Sequence, residues 1–399
     1  MTPPWLVDFL EAHHGELLAF RHHLHSHPEL SHAEFATTEL IAERLRVAGL
    51  DPRTLSSGTG LICDIGAADA PAIALRADID ALAMDDTKEV PYRSTIPGVA
   101  HACGHDLHTA VVLGVGLALA STAGSAGVRA GRNQRVRLIF EPAEEAVPAG
   151  AVTVIEDGGL DGVSAIFGFH ADPKLDVGQV GIRQGPLTAA ADLLEIRLTG
   201  PGGHTARPHL TVDLVSVAAM VVSELPRLVA EHARDLGDLR LAFGALRAGG
   251  AANVIPSTAV LRGSVRTPDR EAWGVAESIV RSALEELVAP TGAGVTCSYQ
   301  RGVPPVVNSV AASEMMADAA RRALGDQAVV EPPRSLGGDS FALYQEHVPG
   351  CYARLGVYDP VKAGTRLDLH SGAFDVDDRV IDIGVRVMVQ LVTQLGTGH

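Results

Sequence analysis

The chain has 399 residues, of which 46% are hydrophobic and 20% are charged, and its formal net charge is −16. This length predicts about two domains with ample apolar surface for a core, and the acidic charge argues against nucleic acid as a partner. Three features predict a cytoplasmic protein without membrane contact: no apolar window spans a bilayer, the amino terminus does not resemble a secretory signal, and the four cysteines form no CxxC pair.

The first part of the chain alternates helical segments with short apolar strands, an order typical of α/β domains. The spacing of apolar residues predicts helices at 5–26, 36–49 and 109–120. Continuous apolar runs predict buried strands at 72–77, 136–141 and 165–170. A Gly/Ser-rich loop is predicted after residue 120.

The pattern changes near residue 187 and changes back after residue 300. Between these points, four predicted strands and two helices follow in β-α-β-β-α-β order, at 192–200, 213–230, 240–249, 257–267, 269–288 and 294–300. Helices at 309–324 and 378–395 flank an apolar segment at 349–357. We therefore predict an α/β protein with a discontinuous main domain at 1–186 and 300–399, built on a mixed central sheet. An α+β, ferredoxin-like domain is inserted at 187–299.

Two acidic side chains, Asp78 and Asp80, follow the strand predicted at 72–77. Acids at the carboxyl end of a strand lie where open α/β sheets bind their ligands. A solvated strand end with acids that cap a helix is an equally simple interpretation of this motif alone.

The segment HACGHDLH concentrates potential metal ligands, with His101, Cys103, His105, Asp106 and His108 within eight residues. A thiolate and an imidazole two residues apart can face one cavity, and this donor pair suits zinc, cobalt, nickel or manganese and not calcium. Asp106 is placed to orient a ligating ring. A structural cysteine beside surface histidines is the alternative, but it does not explain the density of the cluster.

Further candidates follow later strands. Glu144 and Glu145 come directly after the strand at 136–141, where one can bind a metal and the other can act as a general base, although paired glutamates are common on exposed helices. His170 ends the apolar run AIFGFH, and His370 lies in LDLHSG. A single histidine is more often structural, but both lie where the clusters should converge. His204 follows a Gly-rich turn that lacks the pattern of a nucleotide-binding loop.

In this order, the clusters resemble those of the aminoacylase and carboxypeptidase-G family of di-metal amidohydrolases, in the branch of hippurate hydrolase and the indole-acetyl-amino-acid hydrolases. The resemblance covers essentially the whole chain, through RHHLHSHPELSHAEF, LRADIDAL, HACGHDLHTA, EPAEEAVPAGA, FGFHADP, GPGGHTARPH and LHSGAFDVDD. The chain departs from the pattern at Ala83, where relatives usually have proline. It also departs at Asp339 and Ser340, which lie in GGDSF where relatives often have GSEDF.

The resemblance implies a role for each cluster in a catalytic main domain. It implies two divalent ions per subunit with five protein ligands, Cys103, His105, Glu145, His170 and His370. Glu144 matches the general base, and Asp80 matches an acid that supports the metal ligands without binding the metal itself. The inserted domain matches one that forms a homodimer and places a histidine, here His204, in the partner's active site to stabilise the oxyanion. Asn253 and Arg266 match positions that bind the substrate.

We therefore expect a metallo-amidohydrolase that cleaves the amide bond of N-acyl amino acids with a metal-activated water. Manganese or zinc is the expected metal, with cobalt or nickel as alternatives. A dipeptidase or a carbamoyl-amino-acid hydrolase would use the same residues, and the sequence does not separate these substrates. A non-catalytic metal-binding or ligand-binding module is the alternative outside the enzymes, but none of the ligand positions nor Glu144 is altered.

Overall fold

A computed structural model describes residues 2–121, 135–361 and 366–394. The Gly/Ser-rich loop predicted after residue 120 falls largely on 122–134, outside the described residues. The helices are α1 (Pro4–Ser26), α2 (Phe35–Val47), α3 (His105–Ala120), α4 (Ala151–Glu156), α5 (Leu214–His232), α6 (Arg270–Val288), α7 (Val310–Leu324), α8 (Phe341–Tyr344) and α9 (Arg379–Gln394). The strands are β1 (Arg53–Thr54), β2 (Leu61–Gly66), β3 (Ala72–Asp78), β4 (Arg135–Glu141), β5 (Val163–Asp176), β6 (Val180–Gly181), β7 (Gly185–Pro186), β8 (Ala190–Thr199), β9 (Gly203–His204), β10 (Arg240–Ala248), β11 (Val254–Ile255), β12 (Thr258–Thr267), β13 (Gly294–Val303), β14 (Val307–Asn308), β15 (Val329–Val330) and β16 (Gly350–Tyr358).

The chain forms two compact units. The first comprises Met1–Gly185, Val307–Pro333 and Leu343–His399, and the second comprises Pro186–Val306 and Arg334–Ala342. Residues 300–306 and 334–342, which the sequence analysis placed in the main domain, therefore belong to the second unit. Backbone hydrogen bonds explain the second difference, because Ser335 N donates to Leu187 O and Ala189 N donates to Gly337 O. The pattern of apolar residues in the sequence does not predict these contacts.

The first unit contains a mixed sheet with the strand order β1-β2-β4-β3-β5-β16-β6-β15, which confirms the predicted α/β class. The strands β4, β3, β5 and β16 run parallel to one another. The chain passes from β3 to β4 on one side and then to β5 on the other, so the direction of winding reverses at β3. Ligands of open α/β sheets bind at such a reversal, outside the carboxyl ends of the strands.

The buried helix α3 places the HACGHDLH segment at this sheet edge. It packs against β3, α1 and α9, and it begins at His105, four residues before the predicted start. Gly104, which precedes it, has φ +87°, and a Cβ there would lie 2.8 Å from the Cβ of Ala171 in β5. Only glycine permits both this backbone conformation and this approach, so Gly104 brings the start of α3 directly beside His170.

The second unit contains an antiparallel sheet with the order β10-β12-β8-β13. Alternating burial along β8 shows that one face of this sheet is covered, and α5 and α6 pack on it. The β-α-β-β-α-β order of the elements and the strand order are those of a ferredoxin-like fold. In the described ranges, no helix of either unit is long and apolar enough to cross a membrane.

A buried arginine connects three segments of the first unit through hydrogen bonds. Arg21 of α1 is 1% exposed. Its Nε donates to Asp106 Oδ2 at 2.9 Å and its Nη2 to Asp375 Oδ1 at 2.8 Å, and its Nη1 donates to Asp378. Asp106 neighbours His105, and the other two aspartates follow His370 in the sequence. Arg21 therefore connects the two segments that carry these histidines.

We predict that Arg21→Ala lowers the free energy of unfolding by about 3–5 kcal/mol, because it removes the guanidinium from the buried Asp106 carboxylate and leaves only His25 bonded to it. Urea denaturation followed by circular dichroism measures this change. Arg46→Ala is the matched control, since the Arg46–Glu39 pair is exposed and should contribute less than about 1 kcal/mol. Equal losses for the two variants would contradict a stabilising role for the buried network.

Candidate metal centre

Seven of the candidate residues converge at the carboxyl edge of the first unit's sheet. They come from the loop after β3, the start of α3, the turn after β4, the strand β5 and the loop before α9: Asp80, Cys103, His105, Glu144, Glu145, His170 and His370. Cys103, His105 and His170 are buried, the two glutamates are partly buried, and His370 is exposed. The site is therefore open to solvent on the side of His370.

Two groups of possible ligand atoms share one residue. Atoms of Cys103, Glu145 and His370 lie within 4.8 Å of one another, and so do atoms of His105, Glu144 and Glu145. Glu145 Oε1 is 3.1 Å from His370 Nε2, and Cys103 Sγ is 3.6 Å from His170 Nε2. Glu145, which is common to both groups, could therefore contribute a ligand atom to either cation of a two-metal site.

His170 presents an unprotonated ring nitrogen to this site. Its Nδ1 is 2.7 Å from the carbonyl oxygen of Ala171, and a carbonyl can only accept, so Nδ1 carries the proton. Burial and the nearby Arg354 hold the pKa of His170 well below its usual value, so the ring is neutral. Its Nε2 lone pair then faces Cys103, as a metal-ligating histidine requires.

Asp80 orients His105 in the same way. His105 Nδ1 donates to the backbone oxygen of Asp80 at 2.9 Å and to its Oδ1 at 3.1 Å. The other carboxylate oxygen, Oδ2, accepts from Ser31 Oγ at 2.7 Å and from the backbone nitrogen of Glu145 at 3.1 Å. One buried carboxylate therefore positions an imidazole and the neighbouring glutamate together.

Asp78 is a structural acid and not a solvated strand end. It is fully buried, and its carboxylate accepts from Arg76 Nη1 and from His108 Nδ1, the latter at 2.6 Å. His108 Nε2 accepts the backbone N–H of Ala171 at 2.8 Å. Asp78, His105 and His108 also lie close enough to hold a cation, but both nitrogens of His108 are already engaged, which argues against a metal there.

The donor set fits a transition-metal cation. His105 Nε2 is buried and makes no hydrogen bond within the described residues, which is costly for a polar atom without a further partner. Burial alone would lower the pKa of His105, but Asp78, Cys103 and Asp80 together outweigh it and raise that pKa well above its usual value. The same negative surroundings favour a bound cation.

The thiol of Cys103 also favours a bound cation at this site. Burial raises its pKa, so a bare thiolate is disfavoured at this position. Binding to a metal ion converts a cysteine into its thiolate, because a ligating sulfur must be deprotonated. Sulfur, imidazole and carboxylate together suit zinc, manganese, cobalt or nickel.

Three candidate residues belong to the second unit. His204 and Asn253 lie together, because β9 pairs with β11 and Thr205 N donates to Asn253 O at 3.3 Å. Both side chains are exposed. Arg266 lies on β12, and its Nη1 donates to Leu336 O at 3.2 Å, so it contacts the segment 334–342 that contains the departure from the family pattern.

Apart from Asp80, the sequence did not identify the residues that fix the proposed ligands or their neighbours through hydrogen bonds. Ser31 and Glu34 lie in the amino-terminal part of the resemblance without any individual signal. Glu34 is wholly buried, and its Oε1 accepts from Ala143 N at 2.7 Å, next to Glu144. Burial raises the pKa of this carboxyl group. The contacts of Ser31 with Asp80 and of Glu34 with Ala143 join residues 49 and 109 positions apart, so only the fold shows them.

Comparison with known proteins agrees with this geometry. The chain is 38% identical over 367 residues to N-acetyl-L-cysteine deacetylase of Bacillus subtilis, which covers 92% of this chain and 85% of the relative. It resembles the structure of a dinuclear metal binding peptidase of the M20 family from Bacillus subtilis, with a TM-score of 0.82, 34% identity and coverage of 96% of this chain and 98% of that one.

A longer relative also matches. The chain is 42% identical over 385 residues to a Rhodococcus jostii protein named glutamate–cysteine ligase 2-3, and it spans only 47% of that protein's length. The model of peptidase family M20/M25/M40 matches residues 74–394. The resemblance to a di-metal amidohydrolase family is thereby confirmed, and the chain belongs to peptidase family M20/M25/M40.

Proposed function

We propose that the protein hydrolyses the amide bond of N-acyl amino acids and releases the free amino acid. The observation that supports this most strongly is the pair of adjacent glutamates, of which Glu145 is common to both groups of ligand atoms while Glu144 lies beside it. A site with this arrangement can hold two cations and keep a carboxylate next to them for proton transfer.

Cys103, His105, Glu145, His170 and His370 would hold two divalent ions, with manganese or zinc preferred and cobalt or nickel as alternatives. When bound, such ions act as Lewis acids and lower the pKa of water from about 15.7 towards 7. Asp80 keeps His105 and the Glu145 backbone in place for binding. His108 keeps the backbone of Ala171, and so His170, in place.

Glu144 is the proposed general base. Its carboxylate would remove a proton from the attacking water and later deliver it to the departing amine nitrogen. His204 would donate a hydrogen bond to the carbonyl oxygen of the scissile amide as negative charge develops there, and Asn253 and Arg266 would bind the carboxylate of the amino acid. These roles rest on the family resemblance.

The proposed assembly is a homodimer formed through the inserted domain, in which His204 of one subunit serves the site of the other. Its exposed position on the short β9–β11 sheet is consistent with a contact outside its own unit. We further propose a cytoplasmic location, because all four cysteines are free and Cys103 must stay reduced to bind a metal.

We predict amino acid release from N-acetyl-cysteine or benzoyl-glycine that chelator treatment abolishes and added manganese or zinc restores. Ninhydrin detection measures the product. The panel includes a dipeptide and an N-carbamoyl amino acid, so preferential cleavage of either would replace the N-acyl substrate with that alternative. No release of any product by folded protein that contains two metal ions per chain would favour a non-catalytic binding module.

We predict that Glu144→Gln and His204→Ala are each nearly inactive but complement one another when mixed. Loss of an oxyanion donor lowers kcat about 100- to 1000-fold, and loss of the base blocks proton transfer. In a mixed dimer, the subunit that retains Glu144 receives an intact His204 from its partner, so refolded equal mixtures should recover about a quarter of wild-type activity.

Metal content per chain is the control in this experiment, and both variants should retain it. Mixtures of Glu144→Gln with a double Glu144→Gln/His204→Ala variant should stay inactive. Inactive mixtures of the two single variants, from subunits shown to exchange, would contradict the action of His204 across the dimer. Near-normal activity of Glu144→Gln would refute its role as base.

A further inference from the structure

The turn that carries the two glutamates begins with an unusual backbone conformation. Ala143 has φ +52°, and only His32, Ala143 and His370 combine a side chain with a positive φ in the described part of the chain. The left-handed region is unfavourable for residues other than glycine. Such conformations persist where surrounding contacts enforce them, and they concentrate at functional sites.

Contacts on both sides hold Ala143 in this conformation. Its backbone nitrogen donates to Glu34 Oε1 at 2.7 Å, and its backbone oxygen accepts from Gly150 N at 3.1 Å. A Cβ at Gly150 would lie 1.9 Å from the backbone oxygen of Pro142, so this close return of the chain requires glycine. Gly150 belongs to the turn itself, whereas Glu34 reaches the turn from the segment before α2.

Glu34 is buried, and its hydrogen bond outside its own segment is with Ala143 N. Its side chain is 0% exposed, and its Oε2 makes no hydrogen bond within the described residues. Burying a carboxyl group with one oxygen unsatisfied is unfavourable. Besides Ala143, the backbone groups that hydrogen-bond to this carboxyl group are those of His32 and of Glu34 itself, so the bond to Ala143 is the one that reaches another segment of the chain. The direction of that N–H sets the direction of the chain that follows, which is Glu144 and Glu145.

We propose that Glu34 is a positioning residue whose side-chain length holds Ala143 in the left-handed conformation and so aims Glu144 and Glu145 at the metals. The inference rests on the proposed metal centre and deepens it. The functional feature of Glu34 is then an oxygen acceptor within hydrogen-bond distance of Ala143 N, and the negative charge of Glu34 is dispensable.

Two conservative variants separate length from charge. Glu34→Gln keeps an oxygen acceptor at the same distance, whereas Glu34→Asp keeps the carboxylate but is one methylene too short to reach Ala143 N. Loss of a contact that orients metal ligands typically weakens metal binding about 10- to 100-fold. We expect the Kd for cobalt(II) to rise by that factor in Glu34→Asp and to stay at the wild-type value in Glu34→Gln.

A second substitution tests the mechanism. Glycine adopts a positive φ without strain, so Ala143→Gly in the Glu34→Asp background should restore most of the lost cobalt affinity. Ala48→Gly in the same background is the matched control, because Ala48 lies outside the turn and has an ordinary φ of −77°, so this substitution should restore none. Glu29→Asp shortens a carboxylate that accepts the backbone N–H groups of Ala36 and Thr37 and should leave the Kd unchanged.

Cobalt titration of the full-length protein, followed through its thiolate charge-transfer absorption, measures every variant. Equal losses in Glu34→Gln and Glu34→Asp, no loss in Glu34→Asp, or no rescue by Ala143→Gly would each overturn the positioning role. A wild-type protein that binds no cobalt at a thiolate would instead overturn the proposed metal centre, so the two failures are distinguishable.

Discussion

Two carboxylates buried at the end of β3 impose the arrangement of the site. Asp78 and Asp80 are both almost fully shielded from solvent, and buried charge is tolerated only with several hydrogen bonds or an opposite charge. Asp78 obtains them from Arg76 and His108, and Asp80 obtains them from Ser31, His105 and the backbone of Glu145. Two of these partners, His105 and Glu145, are themselves proposed ligands, and His108 holds the backbone of Ala171 beside a third, His170.

Hydrogen bonds from other segments of the chain fix the backbone at or next to the proposed reactive residues. Ala143 and His370 have positive φ, one directly before the glutamate pair and the other at a proposed ligand. Hydrogen bonds from distant segments stabilise both, since Glu34 binds Ala143 N and His370 N donates to Ala102 O at 2.8 Å. The segments that precede α2 and α3 thus fix both loops, and the candidate ligand atoms lie close together.

The sequence predicted most of the elements, and it proposed ligand candidates that the structure brings close together, because both depend on local patterns. Apolar periodicity marks the helices and strands, and the density of His, Cys and Glu at strand ends marks the site. Arg21, Ser31 and Glu34 escaped notice because their roles depend on partners far away in the chain. The segment 334–342 was assigned to the wrong unit for the same reason, since only its backbone hydrogen bonds to residues 187–189 place it.

The claim on which the account depends is that Cys103 and its neighbours bind the catalytic metal. X-ray absorption at the zinc edge of the zinc-loaded protein tests it most directly, because sulfur and lighter ligands lie at different distances from zinc, about 2.3 Å and about 2.0–2.2 Å. The account predicts that the wild-type spectrum contains an average of one sulfur ligand for every two zinc ions. It predicts no sulfur ligand in Cys103→Ser. A wild-type spectrum without sulfur, from protein with two zinc ions per chain, would contradict it.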